Sequence, residues 1–114
     1  MSKFLLAATI SLFFVGTANA FHASCTIEKQ TKAEIFYAST EVNFNEPAIA
    51  FFDDKNYQKF ELVTERVNPD SSIEYVKMAG YNDDQCSTGY FTNSVKTTCQ
   101  NKKAITMIFC AYSE

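Results

Sequence analysis

The sequence predicts an all-β domain, a small antiparallel barrel or sandwich of six to eight short strands held by two disulfides. Three observations predict it. Aromatic and β-branched residues recur in short runs bounded by Asn, Asp and Pro, the pattern of strands and tight turns. Prolines are confined to Pro47 and Pro69, and no linker, repeat or low-complexity stretch interrupts the runs. Four cysteines, Cys25, Cys86, Cys99 and Cys110, lie downstream of a segment that reads as an export signal, where thiols oxidise in pairs.

That leading segment has three zones. Lys3 gives a positive start, Phe4–Val15 is apolar apart from Thr9 and Ser11, and Ala18-Asn19-Ala20 supplies the small residues of a cleavage site. At about 1.5 Å per residue, the apolar run covers roughly 18 Å of a hydrocarbon core about 30 Å thick. Residues 1–20 are therefore expected to be a cleavable signal peptide and 21–114 a single stapled domain, periplasmic or extracellular. Cys25 follows the cut too late for lipid attachment, so no membrane anchor is expected after cleavage.

The elements read as follows. Thr26–Ala38 is ambiguous. Alternation would place Ile27, Thr31, Ala33, Ile35 and Tyr37 on one face, whereas Glu28 and Lys32 pair at helical spacing and Glu, Lys, Gln and Ala favour helix. Two strands with a turn near Lys29–Lys32 is the preferred reading. The alternative is an α+β fold with an N-terminal helix near 26–38. Glu41–Phe44 continues as strand, and Pro47 precedes the short apolar run Ala48–Phe52. Lys59–Val67 alternates Phe60, Leu62 and Thr64 against Lys59, Glu61, Val63 and Glu65. Asn68-Pro69-Asp70-Ser71 then forms a turn, and Ser72–Tyr81 returns as the second arm of a hairpin. Asn82-Asp83-Asp84 is a further turn.

Ser87–Cys99 predicts another hairpin turning at Thr92-Asn93. That register sets Tyr90 opposite Val95, Thr88 opposite Thr97 and Cys86 opposite Cys99, all favourable cross-strand pairs. The preferred disulfides are thus Cys86–Cys99 and Cys25–Cys110, the second tying the first strand to the last. Ala104–Tyr112 is apolar on both faces, which suits a central, well-covered strand.

The composition excludes more chemistry than it suggests. His22, the sole histidine, stands near the processed terminus, so no nucleophile–base pair is in prospect. Asp53-Asp54 and Asp83-Asp84 fall where turns are expected and read as turn residues, not paired acid and base. No Cys-x-x-Cys or spaced oxygen ligands point to a metal, and no cofactor motif is present. The formal net charge is −3 with no basic patch to hold phosphates, and loss of Lys3 makes it more negative, so neither nucleic acid nor an anionic membrane is an expected partner. Most phenylalanines read as core. Tyr75, Tyr81 and Tyr90, placed near strand ends with hydroxyls that want partners, are the candidate binding surface. The expected function is a small exported, non-enzymatic binding module, such as an inhibitor or surface-contact protein acting on another protein. The alternative is a carrier of a small hydrophobic ligand inside a barrel.

Overall fold

The computed structural model describes residues 22–112, so the signal-peptide reading of 1–20 lies outside the described residues. The described chain is all-β. Its strands are β1 (His22–Thr31), β2 (Ile35–Asn43), β3 (Pro47–Phe51), β4 (Tyr57–Asn68), β5 (Ser71–Met78), β6 (Cys86–Phe91), β7 (Ser94–Gln100) and β8 (Ala104–Tyr112), with a 3-10 turn at Asp83–Gln85. They form a five-stranded sheet ordered β2-β1-β8-β7-β6 and a three-stranded sheet ordered β3-β4-β5. Every pairing is antiparallel. The architecture is a sandwich of two separate sheets.

No helix forms over 26–38. β1 and β2 pair continuously from His22↔Asn43 to Gln30↔Ile35. The reason is burial. Alternation sinks Ala23, Cys25 and Ile27 into the core, and one fully buried Ile contributes about 2 kcal/mol, whereas the helical Glu28–Lys32 pair offers at most about 0.5 kcal/mol. The turn lies slightly later than Lys29–Lys32, at residues 32–34. Thr31 sets it: its Oγ1 accepts the Ala33 and Glu34 N–H groups at 3.2 and 3.0 Å. This turn breaks the alternation, so Ile27 faces the core while Ile35 and Tyr37 face outward.

The other hairpins keep their expected partners. Cys86↔Cys99, Thr88↔Thr97 and Tyr90↔Val95 are paired, with Asn93 at φ 59° completing the turn. Asn tolerates this left-handed conformation. β8 is the central strand of the larger sheet, pairing with β1 through Cys25↔Cys110 and with β7 through Val95↔Cys110. Both disulfides join cross-strand neighbours: Cys25–Cys110 at a Cα separation of 4.1 Å and Cys86–Cys99 at 4.0 Å. Such short separations belong to the non-hydrogen-bonded sites of an antiparallel ladder. Two disulfides are consistent with an oxidising environment, extracellular or periplasmic.

The core lies between the sheets. Ile27, Val95, Ile108 and the cystine sulfurs on one side meet Phe60, Leu62, Val76 and Met78 on the other. The buried Gln58, Thr97 and Thr106 side chains all have hydrogen-bond partners. Thr97 shares a hydrogen bond with Thr88 at 3.2 Å, and Gln58 donates to the Ala79 carbonyl at 2.8 Å.

Candidate interaction face

Where a strand is apolar on both faces, both faces want cover. On β8, the inward residues Ala104, Thr106, Ile108 and Cys110 are buried under the smaller sheet. The outward residues Ile105, Met107, Phe109 and Ala111 point away from it and are covered only by their neighbours in the sheet. The register lays out this outer face in rows. One row runs Ser39, Thr26, Phe109, Lys96, Gly89, and the next runs Tyr37, Glu28, Met107, Thr98, Ser87.

Each row carries one aromatic residue, Phe109 and Tyr37 respectively, among mostly polar neighbours, and Phe91 lies in the row beyond Phe109. Tyr37 is 68% exposed, Phe91 58% and Phe109 39%, with Ile35 at 55% beside them. The rings of Phe91 and Phe109 lie 6.4 Å apart although β7 runs between their strands. The Phe91 ring lies over Gly89, 3.7 Å from where a Cβ would stand, an ordinary van der Waals distance. Ser94, an outer-face residue of β7 in the Phe91 row, is buried. Between Tyr37 and Phe109 the surface sinks into an open depression of about 490 Å³ lined also by Thr26, Ser39, Met107 and Lys96. Polar residues are interleaved with the aromatic ones, Thr26, Glu28, Ser39 and Lys96 in the lining itself. Glu28 accepts a hydrogen bond from Gln30 Nε2 at 2.6 Å, and Lys96 is the one cation in the lining. An antiparallel sheet with a solvated face normally carries polar residues there. Aromatic side chains exposed among polar ones have the anatomy of a protein contact.

The three tyrosines singled out from the sequence do not form one surface. Tyr90 is 57% exposed on edge strand β6, facing the side of the sheet that packs on the core. Tyr75 lies on the outside of the smaller sheet, where its hydroxyl donates to Glu65 Oε1 at 3.0 Å. That bond, followed by desolvation and the Glu65 charge, raises the Tyr75 pKa above its usual 10.0. Tyr81 is half-buried against the core, its hydroxyl 2.6 Å from Thr106 Oγ1. The four cysteines occupy the two disulfides as paired above.

The phenylalanines differ from expectation. Phe60 is buried, Phe36, Phe44 and Phe52 are half-buried, and Phe51, Phe91 and Phe109 are exposed. The signal that could have found the outer face was already in Ala104–Tyr112, because cover on one side leaves every second apolar residue outside.

The acidic pairs sit in turns. Asp53 Oδ1 accepts the Lys55 and Asn56 N–H groups at 2.8 Å each. The Lys55 backbone bond, then the Asn56 side-chain and backbone bonds, lower the Asp53 pKa below 3.8. Asp83 and Asp84 open the 3-10 turn. Among the described residues, no group of three or more His, Cys, Asp or Glu is arranged to hold a metal ion. The chain matches no family model, no curated protein and no solved structure.

Proposed function

We propose that the domain is an exported, non-enzymatic binding module that engages a protein partner through the outer face of its five-stranded sheet. The observation that supports this is the two-sided apolar strand β8, whose outward side adds Met107 and Phe109 to Tyr37 and Phe91 on an uncovered face. Aromatic anchors at the centre of such a face carry the largest share of contact energy, about 2 kcal/mol or more each on truncation. A carrier function has less support, because Ile27, Leu62, Val95 and Ile108 fill the space between the sheets.

The test is site-specific photo-crosslinking in the native host. A crosslinker at Tyr37 or Phe109 is expected to trap one discrete protein partner. The same probe at Ile49 or Lys59, outside the smaller sheet, should trap none. Phe109→Ser should abolish capture without unfolding the domain. Capture from Ile49 alone, or equal capture from all positions, would move the contact elsewhere and refute the assignment.

A further inference from the structure

We infer that one end of the sandwich, distinct from the aromatic face, is a binding site for a multivalent oxyanion, phosphate or sulfate in type. The pairing Thr31↔Ala104 sets the β1–β2 turn beside the β7–β8 turn. Lys32 is thereby brought next to Lys102 and Lys103, residues far apart in the chain. Lys29 reaches the same end from inside the sandwich, its Nζ donating to Gln58 Oε1 at 3.4 Å. The β5–β6 connection closes the other side, held by Gln58 Nε2 on the Ala79 carbonyl and Asn101 Nδ2 on the Gly80 carbonyl. The result is an open cleft of about 630 Å³ holding Lys29, Lys102 and Lys103, adjoined by a depression of about 230 Å³ holding Lys32.

Two observations make this more than scattered surface charge. First, no carboxylate lines either hollow, in a chain with 13 acidic and 10 basic residues. Glu34 in the β1–β2 turn and Asp83 and Asp84 before Gln85 stand outside the lining. Gathering like charges is unfavourable without a counterion, and an acidic domain has carboxylates enough to dilute them. Second, the cleft's side-chain acceptors are already used. Gln85 Oε1 takes the Asn82 N–H at 2.8 Å, and Asn101 Oδ1 takes the Lys103 and Ala104 N–H groups at 2.8 and 3.0 Å. Donors remain: the lysine ammonium groups and Gln85 Nε2. A cleft that offers donors and positive charge selects an acceptor-rich anion.

Lysines, not arginine, supply the charge; Arg66 lies at the opposite hairpin, bonded to the Pro69 carbonyl. Compact ammonium groups on flexible stems converge on a many-oxygen anion from several directions, whereas an arginine fork imposes bidentate geometry. The oxyanion is either free or carried on a lipid headgroup.

The test uses the processed, oxidised protein at low salt. Titration with inorganic pyrophosphate, followed by amide NMR, should give saturable shifts confined to Ala79–Tyr81, Gln85 and Asn101–Ala104. The exposed double variant Lys102→Ala/Lys103→Ala should weaken binding at least tenfold, while Lys96→Ala on the aromatic face leaves it unchanged. Co-sedimentation with vesicles of phosphatidylcholine and phosphatidylglycerol (4:1) separates the sources. Vesicle binding displaced by pyrophosphate and lost in the double variant assigns a headgroup; pyrophosphate binding without vesicle binding assigns a free ion. Absence of saturable shifts, shifts spread equally over Lys55, Lys77 and Lys96, or binding that survives the double variant would overturn the site. These outcomes are independent of the crosslinking at Tyr37 and Phe109.

Discussion

Replacing the two disulfides one at a time, each as a pair of alanines, should cost unequal amounts of stability. Cys25 and Cys110 are separated by 85 residues, Cys86 and Cys99 by 13. In the chain-entropy account, a cross-link stabilises by removing loop-closure freedom from the unfolded chain, and the benefit grows with the logarithm of loop length. The long loop gives about 4.5 kcal/mol and the short one about 3 kcal/mol. The inner loop is nested within the outer, and its shortcut changes the first figure by only about 0.2 kcal/mol. Alanine, not serine, is the proper replacement, because Cys25, Cys99 and Cys110 are buried and a serine hydroxyl would need a partner there. Urea unfolding followed by circular dichroism should therefore place Cys25→Ala/Cys110→Ala about 1.5 kcal/mol below Cys86→Ala/Cys99→Ala, a gap of roughly 6–12 °C in Tm for a domain of this size. Equal losses, or a larger loss from the short loop, would show that native-state packing around the sulfurs outweighs chain entropy and would refute the reasoning.

Three further outcomes are expected. Tyr81→Phe and Thr106→Val should each cost about 1 kcal/mol, and the double variant less than their sum, since both remove the same 2.6 Å hydrogen bond; strict additivity in urea titrations would deny the bond. Asp53, whose pKa is depressed below 3.8 by the Lys55 and Asn56 donors, contributes stability that is present above 3.8 and lost as pH falls through its lower folded value. Carbon-detected NMR should find that midpoint below 3.8, and Asp53→Asn should remove this part of the acid dependence. Tyr75 should ionise above 10.0 because Glu65 accepts its proton's hydrogen bond. Its raised value gives stability that is full below 10.0 and lost as pH rises through the folded pKa. Glu65→Gln should move the midpoint back towards 10.0 in an ultraviolet titration.

Local signals in the sequence carried the strands and one complete hairpin. Thr92-Asn93 is short enough to fix the register of its arms, so the opposition of Cys86 and Cys99 followed from counting, and the other disulfide followed by elimination. What counting could not reach were effects of distance and of single side chains. The Thr31 hydroxyl moves a turn and thereby sends Tyr37 outward, a choice that alternation across the turn misread. The division into two sheets rests on β1 pairing with β8 across almost the whole domain, and no local pattern encodes it. The same pairing assembles the lysine end, bringing Lys29 and Lys32 beside the Lys102-Lys103 pair from about 70 residues away in sequence. Tyr81 resembled Tyr75 and Tyr90 as a strand-end aromatic, yet its ring packs on the core because Thr106 lies buried within reach of its hydroxyl.

The placement of the covalent bonds bears on the proposed contact. Both disulfides lie within the five-stranded sheet, one joining β1 to β8 and the other β6 to β7. The smaller sheet carries none and is held by apolar packing of Phe60, Leu62, Val76 and Met78. Covalent restraint is therefore concentrated in the sheet that bears the aromatic face, and on its hidden side. Cys110 follows Phe109 directly, so this outward aromatic has a cystine anchored one position away, pointing into the core. Ordering a surface at the moment of binding costs about 0.5–1.5 kcal/mol for each immobilised side chain, and a pre-fixed backbone lowers that cost. A staple meant only to raise global stability would serve equally well between the sheets. Placing both behind one exposed face favours the view that the face itself is what must hold its shape.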